Sequence, residues 1–164
     1  RLYGVSKILG ELLFRRWAAN ESVPLCILRL PGVYGPSDND RGFVGALNGC
    51  IRDGRTFTLT GHGNSLRDYI FANDVGRAVI EVVPKVDAQE IFNFTSGNSI
   101  NLNQIIELMH RQIGNCPIDR SRKDIVRQDL KFDSAKLEGT APNFRFTPLK
   151  EGILKYSNST ETAP

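Results

Sequence analysis

The stretch that most limits the fold is PLCILRL at positions 24–30, a short apolar run that does not alternate with polar residues. A strand with one face in water alternates; an unbroken run is the pattern of a strand covered on both faces, as in a parallel sheet. Before it, Val5, Ile8, Leu9, Leu12, Leu13 and Trp17 recur at three- and four-residue steps, which predicts a helix over 3–19 with one broad apolar face. Pro31 and Gly32 end the strand. A second short apolar strand is expected at 91–94. Helix, buried strand, irregular segment, buried strand, helix is an α/β pattern. A doubly wound sheet needs more parallel strands than these two, so the chain reads as part of one.

Between the two strands, helices are expected over 43–52 and from Asn73 or Asp74, as N-cap, to about residue 83, with strands over 56–60 and 67–71. Beyond them, 102–113 is amphipathic, with Asn101 as candidate N-cap and Gly114 as candidate C-cap. A strand over 125–132, a last helix over 149–156 and a disordered tail over 157–164 complete the expectation.

Composition narrows the function. The 164 residues are one domain's worth. The net charge of +3, from 21 basic and 18 acidic side chains, is too mild for a nucleic-acid surface but admits a small anionic ligand. Cys26, Cys50 and Cys116 lack C-x-x-C spacing and are read as reduced thiols of a cytoplasmic protein. His62 and His110 have no Cys or carboxylate at ligand spacing, so no metal is expected. No apolar run is long enough for a membrane span and no signal peptide is seen.

The chemistry-bearing pair is at the start. Tyr3 and Lys7 lie one helical turn apart on one face. A free tyrosine, with a pKa of about 10, is a poor base. A neighbouring ammonium favours the phenolate, and a tyrosine so tuned can shuttle a proton to or from an alcohol while hydride moves to a cofactor.

The pair heads an ordered series of motifs. After Tyr3-Gly4-Val5-Ser6-Lys7 come Arg29-Leu30-Pro31-Gly32-Val33-Tyr34-Gly35-Pro36, then Arg67-Asp68-Tyr69-Ile70, Asn93-Phe94-Thr95-Ser96-Gly97, and Asp133-Ser134-Ala135-Lys136. This order resembles the C-terminal half of the extended short-chain dehydrogenase/reductases. Within them it resembles the NAD-dependent nucleotide-sugar epimerase/dehydratase family, to which UDP-glucose 4-epimerase belongs. The resemblance covers about residues 1–155.

It implies the C-terminal part of a Rossmann-type NAD(P)-binding fold plus a small α/β substrate-binding domain. Residues 1–35 would be the last helix–strand part of the Rossmann domain. Residues 36–90 and 99–156 would be mainly substrate-binding, with strand 91–95 returning to the Rossmann sheet. The family's preceding half carries the glycine-rich turn for the pyrophosphate of NAD or NADP. No such turn occurs here, so the chain is expected to start mid-protein and to be inactive alone.

The resemblance also assigns roles. Tyr3 is the general acid/base, and Lys7 binds the nicotinamide ribose. Pro31 and Val33 lie against the nicotinamide. Gly32 stands where the family often has an asparagine that touches the substrate. Thr58 and Thr60 pass the nucleotide base. Arg67 holds the diphosphate, since a guanidinium fork matches two phosphate oxygens. Arg122 or Lys123 supplies a second basic phosphate ligand, while Asp68 and Asp74 are structural. The expected partners are a nucleotide-sugar, a UDP-sugar foremost, and a second copy in a homodimer through helix 3–19. Two other readings compete: a non-catalytic sugar-nucleotide-binding or interaction module, and a reductase of another carbonyl substrate.

Overall fold

A computed structural model describes residues 2–36, 38, 41–122 and 124–160. The elements run α1 (Leu2–Glu21), β1 (Leu25–Arg29), β2 (Gly32–Tyr34), α2 (Gly42–Arg52), β3 (Phe57–Thr58), β4 (Leu66–Arg67), β5 (Tyr69–Phe71) and α3 (Ala72–Glu81). They continue with β6 (Gln89–Asn93), β7 (Ile100–Asn101), α4 (Leu102–Ile113), β8 (Ile118–Asp119), α5 (Ala135–Thr140) and α6 (Leu149–Thr160).

The non-alternating run forms β1, which pairs in parallel with β6 from Leu25↔Gln89 to Arg29↔Asn93. Three smaller pairs follow: β2 with β5 and β3 with β8, both parallel, and β4 with β7, antiparallel. Two apolar clusters result. One joins the β1–β6 sheet to α3, α5 and the aromatic group Phe94, Phe144 and Phe146. The other gathers α2, α4 and α6 around Leu47, Leu59, Ile105 and Met109.

Helix α4 shows how local sequence fixes an element. The Asn101 side chain accepts the Gln104 N–H (2.9 Å), and the Gln104 side chain accepts the Asn101 N–H (3.2 Å). This reciprocal cap starts the helix. Leu102, Ile105, Ile106 and Met109 then turn one face to the core. On β6, Lys136 of the Asp-Ser-Ala-Lys motif acts as a clamp. Its Nζ donates to the Ile91 carbonyl (2.9 Å), pairs with Glu90 and stands 5.0 Å from the Phe92 ring centre.

Helix α1 is apolar and mostly bare. Ala18 is its one buried residue among those described, and Leu2, Tyr3, Ile8, Leu12, Phe14 and Trp17 are all more than half exposed. Glu11 and Arg29 tie it to the sheet by two parallel bonds, Nε–Oε1 at 2.8 Å and Nη2–Oε2 at 2.6 Å. The pairing with Arg29 holds the Glu11 carboxyl below its ordinary range.

Several expectations need correction. Neither Asn73 nor Asp74 caps α3, which begins at Ala72 with Phe71 in the cap position. Asp74 is instead fully buried, because a tertiary partner claims it: it accepts the N–H and hydroxyl of Thr147 (both 2.8 Å) and the Arg77 guanidinium (3.0 Å). Residues 125–132 form no strand. They run beside β4 through isolated bonds, such as the Leu130 N–H to the Leu66 carbonyl (2.9 Å). The expected tail, 157–164, is helical to Thr160. There Tyr156 is buried as an anchor, and the Ser157 and Ser159 hydroxyls donate back to the Leu154 and Tyr156 carbonyls. The rest of that stretch lies outside the described residues.

Two tyrosines are packed into this framework, Tyr34 buried and Tyr69 partly buried. Burial pushes the Tyr34 hydroxyl far up, with the charges of Asp74 and Glu151 adding to it. Burial also pushes Tyr69 up to about 12, against the pull of Arg67 and Arg127. Above pH 10 the unfolded chain therefore loses phenolic protons that the folded chain keeps. Stability should fall between about pH 10 and 12, by at most about 1.4 kcal/mol per pH unit for each tyrosine. Denaturant titrations at pH 9 and 11 should show this loss, and Tyr69→Phe should reduce it. Gly152 packs directly on the Tyr34 ring edge, leaving no room for a Cβ. Gly152→Ala should destabilise by about 1–3 kcal/mol in the same titrations, as overpacking does. Tyr34→Phe should recover part of that cost.

Candidate functional site

Strand β4 and its successor β5 carry Arg67 and Tyr69 on the same side, since side chains alternate along extended chain. Both line a cavity of about 250 Å³, whose other walls include Phe43, Phe57, Thr58, Thr60 and Arg127. Arg67 and Arg127 also line a second cavity of about 500 Å³ along residues 125–130. The two spaces meet at the two arginines, and among the described residues neither has a carboxylate in its lining. Together they reach the usual size of a small-molecule site, about 300–1,000 Å³.

Arg67 is held by backbone. Its Nη1 donates to the carbonyls of Leu66 (2.6 Å) and Gln128 (2.7 Å). Among the described residues its Nε and Nη2 meet no acceptor. A guanidinium braced on one nitrogen, with its other donors turned to a cavity, is a preorganised anion receptor. Arg127 makes the receptor double. Its spacing to Arg67 carries no sequence signal, because an irregular segment brings it there. The candidate Arg122 is placed differently. Its backbone carbonyl accepts the Gly61 N–H (2.7 Å), and its exposed side chain lies outside both linings, near Asp119. Bonds from the Ser121 N–H and hydroxyl hold the Asp119 carboxyl low, with Thr58 and Arg122 adding to the effect. Lys123 lies outside the described residues.

Tyr3 and Lys7 stand on the first turns of α1. Lys7 Nζ is 5.2 Å from the Tyr3 ring centre, and Tyr3 is 76 % exposed. Among the described residues no hydrogen bond or ring contact joins this pair to the arginine cavity. The connection runs through the framework. Glu11, one turn beyond Lys7, grips Arg29; β1 then leads through Pro31 into β2. There the Gly32 N–H donates to the Asp68 carbonyl (3.1 Å), and Val33 remains partly exposed. A Cβ on Gly32 would come within 2.6 Å of the Tyr69 ring and 3.2 Å of the Asp68 carbonyl. An asparagine at this position therefore does not fit unless Tyr69 moves.

The three cysteines are free thiols. Burial pushes the Cys26 and Cys116 thiols up, which suits inert packing. Among the described residues no group of three or more His, Cys, Asp or Glu could hold a metal ion, and no helix is long and apolar enough to cross a membrane.

The chain resembles proteins that act on nucleotide-sugars. It is 27 % identical over 160 residues to the dTDP-L-rhamnose 4-epimerase of Burkholderia thailandensis, covering 93 % of this chain and 44 % of that protein. It is 27 % identical over 139 residues to the UDP-glucuronate 4-epimerase of Thermodesulfobacterium geofontis, covering 84 % of this chain and 40 % of that one. The chain thus spans about half the length of the curated relatives it matches. Its fold superimposes on the UDP-glucose 4-epimerase of Thermotoga maritima, solved with UDP-glucose, at a TM-score of 0.82 and 24 % identity. That match covers 97 % of this chain and 53 % of that structure, and it fixes the fold as α/β of the Rossmann-like kind. The model of the NAD dependent epimerase/dehydratase family matches residues 1–94, and the chain belongs to that family.

Proposed function

We propose that this chain supplies the catalytic helix and the nucleotide-binding half of an NAD-dependent nucleotide-sugar epimerase or dehydratase. The observation that carries the reading is the cavity where Arg67 and Arg127 meet with no carboxylate among the described lining residues. Two fixed positive charges beside threonines and aromatic rings suit a nucleoside diphosphate better than a neutral carbonyl compound.

The donor set on α1 fits one end of the cofactor. A phenol and an ammonium on one exposed helix face suit a ribose diol and a sugar hydroxyl. The sequence has no glycine-rich turn for the pyrophosphate, so these residues would hold only the nicotinamide ribose. When bound, the nicotinamide supplies the hydride acceptor.

The chain's own groups do the rest. Tyr3 takes the proton of the sugar hydroxyl and returns it. Lys7 bonds the ribose hydroxyls and offers a positive charge beside the phenolate. Pro31 and Val33 present an apolar edge to the nicotinamide. Gly32, with no side chain, lets the Tyr69 ring pack against the backbone. Thr58 and Thr60 border the base, and the two arginines neutralise the diphosphate. A polypeptide limited to these 164 residues should bind nucleotide without turnover. The bare face of α1 would be covered by the preceding half of the protein and by a second copy in a homodimer.

In the complete enzyme, Tyr3→Phe should lower kcat for a UDP-sugar by about 10²–10⁴, the usual worth of a positioned proton-transfer group, with little change in KM. A kcat equal to wild type would remove Tyr3 from the reaction. In calorimetric titrations with UDP, Arg67→Ala and Arg127→Ala should each weaken binding about tenfold or more, while Arg122→Ala should stay near wild type. If Arg122→Ala weakens binding and Arg127→Ala does not, the second phosphate ligand is Arg122. Light scattering at low micromolar concentration should give a dimer, and a monodisperse monomer would rule out the α1 interface.

A further inference from the structure

Arg67 and Tyr69 face the cavity; Asp68, between them, points the other way. Its carboxylate is 2 % exposed and is taken by three donors from one loop. These are the Thr95 hydroxyl, the Ser96 hydroxyl (2.6 Å) and the Gly97 N–H (3.1 Å). That loop follows β6 directly, and Thr95 is itself buried. The backbone of Asp68 is fixed as well, through its carbonyl to the Gly32 N–H. Arg67 has no ion pair of its own among the described residues. Both acceptors of its Nη1 are main-chain carbonyls, those of Leu66 and Gln128, so its aim follows the backbone at 66–69 and its position against residue 128.

We propose that Asp68 is the positioning residue of the cavity: gripped by the 95–97 loop, it sets the orientation in which Arg67 and Tyr69 meet a nucleoside diphosphate. This deepens the nucleotide reading above and rests on it. The chemistry of the grip requires a carboxylate. Three donors converge on two oxygens that carry only acceptor sites. An amide at the same position keeps the shape but turns N–H groups towards one or more of those donors. A buried donor left without its acceptor is costly, and the backbone relaxes to reduce that cost. The relaxation moves the residues on either side, which are the two that line the cavity.

The test is calorimetric titration of UDP into wild-type protein, Asp68→Asn, Ser96→Ala, Thr95→Ser and Arg67→Ala, each well below its own Tm. Asp68→Asn should weaken binding about tenfold and Ser96→Ala about threefold, in line with the loss of charge-assisted hydrogen bonds. Thr95→Ser keeps the hydroxyl and should bind as wild type does. A purely structural role would lower Tm in Asp68→Asn and leave the Kd of the folded protein unchanged. That result, with Arg67→Ala still impaired, overturns the proposal and spares the nucleotide reading. Failure of wild-type protein to bind UDP overturns the nucleotide reading, and this inference with it.

Discussion

Everything in this structure hangs on the parallel register between β1 and β6. Five residues of each strand are matched, from Leu25↔Gln89 to Arg29↔Asn93. The strands leave this pair at the same end and enter the site from it. β1 passes through Pro31 into β2, and β6 passes into the loop whose hydroxyls seize Asp68. Slipping the register by one residue would turn each apolar side chain of the slipped strand to the opposite face. It would also carry Gly32 and Thr95 away from the same aspartate. The site is therefore a consequence of the sheet, although no residue of the sheet lines the arginine cavity.

Electrostatics sets the cavity apart. Around the sheet charges are paired: Glu11 with Arg29, Glu90 with Lys136 and Asp74 with Arg77. At the cavity Arg67 and Arg127 share a space with no carboxylate among its described lining residues. Two like charges facing one pocket oppose folding mildly. The protein tolerates them because Arg67 is braced on carbonyl dipoles and the pocket is open to water. Such a residual positive field is what a diphosphate would neutralise.

The sequence revealed most where one physical signal dominated. Periodicity marked α1 and α4, an unbroken apolar run marked β1, and a cap residue with its partner three positions on marked the start of α4. It misled where a distant partner outbid a local one. Asp74 sits where a helix cap belongs, but Thr147, far along the chain, takes its oxygens. Residues 125–132 have the apolar content of a strand, yet the Leu66 N–H that faces them is taken by the Asp129 side chain and not by a backbone carbonyl, so no ladder forms. Arg67 was legible because it lies inside a motif. Arg127 was not, because an irregular segment with no periodicity delivers it to the pocket. The aim of Asp68, away from the arginine beside it, follows from strand alternation once β4 and β5 are known.

The same register has a consequence for synthesis. β1 leaves the ribosome well before its partner, because four short strands, β2 to β5, and the helices α2 and α3 are encoded between them. Throughout that interval the nascent chain carries α1, whose apolar residues are largely exposed, and β1 without β6 beside it. Parallel pairing cannot close through a tight hairpin, so the length of this exposed phase is set by the time needed to translate through Asn93.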